Sequence, residues 1–315
     1  MTENLIFSLN ATLPIFLTMA AGILFRRMGL MDEDFAAKTN AFVFRIALPA
    51  LLFEDLSCVA FDAVWDVKFV LFCFGITAVC ILILTFASFL FVEKASRGEF
   101  VQGGYRSSAA ILGIALIQNI YGNSGMAPLM IVATVPLYNV AAVFILSLMN
   151  PKQGRLDGKA LKKSLRGVAA NPIIWGILLG VLWSLSGLSM PAVAEKTLHN
   201  IAVLATPLGL MSMGASFEGK KALAKLRLTI VCSLIKLIGL AAAGLPLAAA
   251  LGFRGEKLIA ILIMLGSATT VSSYIMAKNM DCEGTLTASV VMMTTLFSAV
   301  TLTGWLYLLR SMGLI

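Results

Sequence analysis

The sequence predicts an all-α integral membrane protein, on three observations: ten long apolar stretches, a scarcity of charge, and basic residues gathered in alternate connections. Apolar residues make up 59% of the 315 positions and charged ones only 13%, with a mean hydropathy of +0.94. A soluble domain carries about a quarter charged residues, so a water-soluble fold is excluded. The formal charge of +8 follows from Lys and Arg kept in cytoplasmic loops, and no nucleic-acid partner is expected.

A hydrocarbon core of about 30 Å needs about 20 apolar residues as helix. The chain offers such spans near 5–25, 35–57, 67–92, 100–121, 125–149, 168–187, 193–216, 226–251, 257–278 and 285–309. Span 1 starts after Glu3 and ends in Arg26-Arg27 with no small-residue cleavage site, so it is expected to stay in the membrane. The connections after spans 1, 3, 5, 7 and 9 hold seventeen basic residues, Arg26, Lys94, Arg97, Arg106, Lys220 and Lys278 among them. The opposite side holds five: Lys68, Lys196, Arg254, Lys257 and Arg310. The positive-inside rule therefore predicts a multi-pass cell-membrane protein with the 150–167 linker in the cytoplasm and both termini outside.

Pro14 and Pro172 lie 158 residues apart, and the same step relates Gly22 to Gly180 and Pro49 to Pro207. We read a duplication, with a first five-helix repeat over 1–149, the linker 150–167, and a second over 168–315. Five is odd, so the second copy enters the membrane inverted, as in secondary transporters.

Spans 4 and 9 occupy equivalent places in the two repeats and resemble lipid-facing helices least. Span 4 opens Arg106-Ser107-Ser108 and continues through Gly113-Ile114-Ala115; span 9 reads Gly266-Ser267-Ala268-Thr269-Thr270-Val271-Ser272-Ser273. Hydroxyls, Gly and little bulk suit helices broken at mid-membrane, whose freed backbone groups line a solute site. The same residues also suit close helix packing.

Arg45 in span 2 and Lys236 in span 8 are cations at membrane depth, which mark a solute pathway unless they snorkel or pair structurally. With Glu54 and Asp55 placed near the outer face, no carboxylate is expected at mid-membrane, and this favours an anionic solute. Asn139 in span 5 can donate and accept, toward a carboxylate or a neighbouring helix. The candidate substrate-binding set is thus Arg45, Ser107, Ser108, Gly113, Asn139, Lys236, Thr269, Thr270, Ser272 and Ser273. His199, the sole histidine, is expected near the outer interface in a structural role, and the methionines in packing. The five cysteines stand singly and suggest neither metal nor disulfide. No P-loop, intramembrane Asp pair, zinc-type His cluster or Ser-His arrangement is present, so neither an enzyme nor a cofactor is expected.

Leu13-Pro14 through Gly22, Leu48-Pro49-Ala50-Leu51-Leu52-Phe53, Asn171-Pro172, Ser272-Ser273-Tyr274-Ile275-Met276-Ala277-Lys278 and Ala288-Ser289-Val290-Val291 together resemble the auxin efflux carrier family, within the bile acid, arsenite and riboflavin transporter group. The resemblance spans the whole chain. It implies two inverted five-helix repeats, a scaffold of spans 1, 2, 6 and 7, and crossing broken spans 4 and 9. It also implies organic anions as substrates and makes a homodimer plausible. Family members often carry Pro at the two crossovers, where this chain has Ala115 and Ala268. The expected function is secondary transport of a small mono- or dicarboxylate by alternating access, with H+ or Na+ as a possible coupling ion. The alternative is a transport-inactive sensor or scaffold that keeps the carrier fold.

Overall fold

The computed structural model describes residues 2–57, 66–109, 117, 120–121, 126–150 and 169–315. These are helical, with no strand among them. The helices are α1 (Thr2–Arg27), α2 (Glu33–Ser57), α3 (Val67–Phe91), α4 (Arg97–Tyr105), α5 (Ala127–Leu148), α6 (Pro172–Ser186), α7 (Ala192–Ala215), α8 (Leu226–Ala250), α9 (Glu256–Gly266), α10 (Ser272–Asn279) and α11 (Thr285–Ser311).

Six of them, α2, α3, α5, α7, α8 and α11, are long and apolar enough to cross a membrane. Span 4 leaves helical form over 106–108, with helix again at 117 and 120–121, and span 9, expected as a broken helix, is divided into α9 and α10. Helix α6 has only 15 residues, about 22 Å at the helical rise. The expected linker lies outside the described residues except at its first position, Asn150, and the expected break at Gly113-Ile114-Ala115 lies outside them entirely.

Side-chain chemistry fixes the helix starts. Asp32 accepts from the Phe35 N–H at 2.7 Å and Asp66 from the Phe69 N–H at 3.0 Å. Asn171 caps α6 through the Ile173 N–H at 2.9 Å, with Pro172 at the first helical position. Glu99, wholly buried on α4, caps α11 from a distance. Its carboxylate accepts from the Gly284 and Thr287 N–H groups and from the Thr287 hydroxyl, at 3.0, 2.9 and 3.0 Å.

Prolines explain two matching irregularities. Pro49 has no N–H for the Arg45 carbonyl and its ring crowds that oxygen, and α2 widens into a π turn over Val43–Ala47. Pro207 stands in the same relation to Val203, and α7 is interrupted at Val203-Leu204.

The two closest helix pairings match in the same way. A Cβ on Gly22 of α1 would lie 2.2 Å from the Met211 carbonyl oxygen of α7, and one on Gly214 of α7 would lie 2.1 Å from that of Met19. Gly176 and Gly180 of α6 meet the Pro49 and Phe53 carbonyls of α2 at 2.5 and 2.9 Å. Exchanging the two halves of the sequence turns one pair into the other. Around these pairs, α3 and α6 turn apolar side chains outward, among them Leu71, Phe86, Leu90, Trp175 and Leu182. A contiguous apolar exterior of this kind suits lipid.

Candidate functional site

The interrupted helices meet where both lose helical form. After Tyr105 the chain runs extended through Arg106, and after Gly266 it is extended at Ser267 before α10 begins at Ser272. The Ser108 N–H donates to the Ala268 carbonyl at 2.9 Å, joining the two breaks directly. The Thr269 hydroxyl donates to the Gly103 carbonyl at 2.7 Å, and Gln102 Nε2 donates to the Ser273 carbonyl at 3.0 Å.

No proline produces the break at Ala268. The freed backbone groups are instead satisfied by side chains of other helices. Lys236 of α8 places its ammonium 3.2 Å from the Met264 carbonyl and 3.0 Å from that of Leu265, at the C-terminal end of α9. A cation there also complements the helix dipole. The Thr294 hydroxyl of α11 accepts from the Thr269 N–H at 3.0 Å. Tyr138 of α5 donates to the Met264 carbonyl at 3.3 Å, while Ser107 Oγ lies 3.2 Å from the Tyr138 hydroxyl. Each backbone group left unpaired in a bilayer would cost several kcal/mol, so these contacts hold the break open.

A cavity of about 220 Å³ lies against this junction, walled on the other side by Ile15 of α1, Leu48, Leu52 and Asp55 of α2, and Ala205 and Thr206 of α7. Of the candidate set, Ser107, Ser108, Asn139, Thr269, Thr270 and Ser272 line it. Ser273 is buried but off the wall, and Gly113 lies outside the described residues. Two cations go elsewhere. Arg45 is exposed on the π turn of α2, and Lys236 is consumed by the α9 carbonyls. Neither lines the cavity.

The cavity's cation is Arg106, which the sequence reading counted with the cytoplasmic loop. It is 2% exposed. One terminal nitrogen donates to Ser272 Oγ at 2.7 Å and to Asn139 Oδ1 at 2.9 Å, and the other approaches the Met276 sulfur at 2.9 Å. Asn139 is itself held by its amide donating to the Val135 carbonyl at 2.9 Å. The Arg106 Nε is buried with no partner. Guanidinium has five donors and stays charged, yet its neighbours here are neutral and include a weak thioether acceptor. Such a group on a cavity wall is a charged donor with an acceptor still wanting. The signal available in the sequence was Arg106 standing directly before Ser107-Ser108, where the apolar span had already begun.

Two carboxylates are nonetheless turned inward: Asp55 lines the cavity and Glu99 is fully buried. Glu54, next to Asp55, points away and pairs with His199 Nδ1 of α7 at 2.8 Å. The described cysteines, Cys73, Cys80, Cys232 and Cys282, are free and buried, while Cys58 lies outside the described residues. Among the described residues, no cluster of His, Cys, Asp or Glu is arranged to hold a metal ion.

Comparison with known proteins bears on this arrangement. The chain is 26% identical over 223 residues to "Uncharacterized transporter YfdV" of Escherichia coli (strain K12), covering 69% of this chain and 71% of the relative. It is 22% identical over 308 residues to an "Uncharacterized transporter" of Methanothermobacter thermautotrophicus, covering 95% and 97%. A Rhizobium meliloti (strain 1021) protein named "Putative malonate transporter" is 25% identical over 309 residues, 95% of each chain. The profile described as "Membrane transport protein" matches residues 7–306. With that match over nearly its whole length, the chain belongs to the membrane transport protein family, that of the auxin efflux carriers.

Proposed function

We propose that the protein is a secondary carrier of a small organic anion, a mono- or dicarboxylate, bound at Arg106. One observation supports this above the others: a fully buried guanidinium on a cavity wall, held by Asn139 and Ser272, with its Nε unpartnered. The hydroxyls of Ser108 and Thr270 and the N-terminal end of α10 supply further donors around it. A cavity of about 220 Å³ suits an acid of few carbons. The name carried by the Rhizobium relative makes malonate the first solute to try.

The matched helix pairs and matched proline irregularities favour two inverted five-helix repeats, 1–149 and 168–315. In this reading α1, α2, α6 and α7 form the scaffold, and the unit carrying α4, α9 and α10 moves against it in alternating access. Both termini lie outside, the drive is an H+ or Na+ gradient or the membrane potential, and the carrier assembles as a homodimer.

The test is exchange of labelled malonate into vesicles loaded with unlabelled malonate. Saturable counterflow is expected from the wild type, with a loss of about 100-fold or more in Arg106→Met, since charge-assisted hydrogen bonds contribute about 1.5–3 kcal/mol each. Arg106→Lys should recover only part, because the ammonium lacks the guanidinium fork. No counterflow of malonate or of other short carboxylates would move the assignment to the sensor or scaffold reading. Counterflow unchanged in Arg106→Met would remove Arg106 from the site.

A further inference from the structure

Besides Arg106 and Tyr138, Asp55 is the one ionisable side chain on the cavity wall among the described residues. We propose that Asp55 takes up a proton whenever a carboxylate occupies the cavity, so that acid and proton cross together. This inference rests on the carboxylate site proposed at Arg106.

Glu99 accepts three hydrogen bonds and Glu54 is paired with His199. Asp55 makes no hydrogen bond or ion pair among the described residues. Its surroundings offer little to balance it. On its own helix the neighbour is Glu54, a like charge. Helix α6, packed along this end of α2, contributes no ionisable residue. The first half of α7 contributes Glu195, Lys196 and His199, all exposed, with His199 held by Glu54. Across the cavity stand Arg106 of α4 and the Tyr138 phenol of α5.

Among the described residues of the cavity wall, Asp55 is the one carboxyl and Arg106 the one guanidinium. A bound carboxylate brings a second acidic group into about 220 Å³ that already holds Asp55. Two carboxylates in one confined site do not both stay ionised; one takes a proton. The solute is oriented by Arg106, so the proton goes to Asp55: an O–H bond forms on its carboxyl with a proton from the loading side. That bond breaks to the opposite side once the acid has left.

Calorimetric titration of the purified protein with malonate, in buffers of low and high ionisation heat, reads this directly. The wild type is expected to take up about one proton more per malonate bound than Asp55→Asn, with its Kd rising up to about tenfold per pH unit above neutrality. Asp55→Glu should keep the uptake, and Asp55→Asn should bind with little pH dependence. If Asp55→Asn does not fold, the wild type and the Glu variant decide alone. Malonate binding to wild type with heat independent of buffer, or equal uptake by a folded Asn variant, overturns the role of Asp55 and leaves the anion site standing. No binding by wild type of malonate or any other short carboxylate, at any pH, would overturn both.

Discussion

The glycine-packed pairs α1·α7 and α2·α6 and the junction of α4 with α9 and α10 draw on the same small residues for opposite ends. In the pairs, Gly22, Gly176, Gly180 and Gly214 let backbones touch, leaving no room for a methyl group. At the junction, Ser107, Ser108, Ala268, Thr269 and Thr270 border a cavity, with the Ser108 N–H on the Ala268 carbonyl and Thr269 tied to Gly103 and Thr294. Small size alone therefore does not separate a packing seam from a binding site. The difference lies in whether buried cations and hydroxyls from outside the segment satisfy its backbone.

That contrast can be broken at either end. The largest effect is expected at the seam: Gly22→Val must part α1 from α7, at a cost of about 3 kcal/mol or more, seen as a much lower melting temperature in detergent. A Val variant melting like wild type would mean that the seam is not close-packed. Next is Lys236→Met, which strands the Leu265 carbonyl and leaves that of Met264 to Tyr138 alone, and should cost about 1–3 kcal/mol. Because Lys236 does not line the cavity, the Kd for malonate measured on the folded variant should stay within about threefold, a shift under about 0.7 kcal/mol. A large loss of affinity with unchanged melting would return Lys236 to the solute path. Asn139→Ala should do the reverse, weakening malonate about tenfold, or about 1.4 kcal/mol, by loosening Arg106, with little change in melting.

The smallest effect lies outside both regions. Lys225 hydrogen-bonds Glu283 and holds its carboxyl below the ordinary value of 4.5. A lowered carboxylate stabilises the fold above its unfolded pKa, and that contribution is lost as pH falls through the folded value. Glu283→Gln should therefore lower stability at pH 7 by less than about 1 kcal/mol, since the pair is partly exposed and screened. The difference from wild type should shrink as pH falls below the ordinary 4.5 and vanish once the wild-type carboxyl, whose folded value lies lower, is protonated. A gap that persists there would assign the effect to packing instead.

Membrane class, helix ends and the irregularities at Pro49 and Pro207 could be read from the sequence because they arise locally. Hydropathy is a property of each segment, a cap acts over three residues, and proline acts on the carbonyl four residues back. The family was also legible, through motifs spread over the whole chain. Five candidate residues that line the cavity, Ser107, Ser108, Thr269, Thr270 and Ser272, stand out for a similar reason: runs of hydroxyls inside an apolar span are locally conspicuous.

Only the tertiary structure decided what the charges do. Arg106 reads as a loop residue until Ser272, 166 positions later, and Asn139 close around it. Lys236 and Arg45 both read as cations in a span, yet one is absorbed by the end of α9 and the other stays outside. Asp55 sits near the end of α2 and still borders the cavity. The free energy of a charge depends on which groups surround it, and in this protein those groups come from helices distant in the chain.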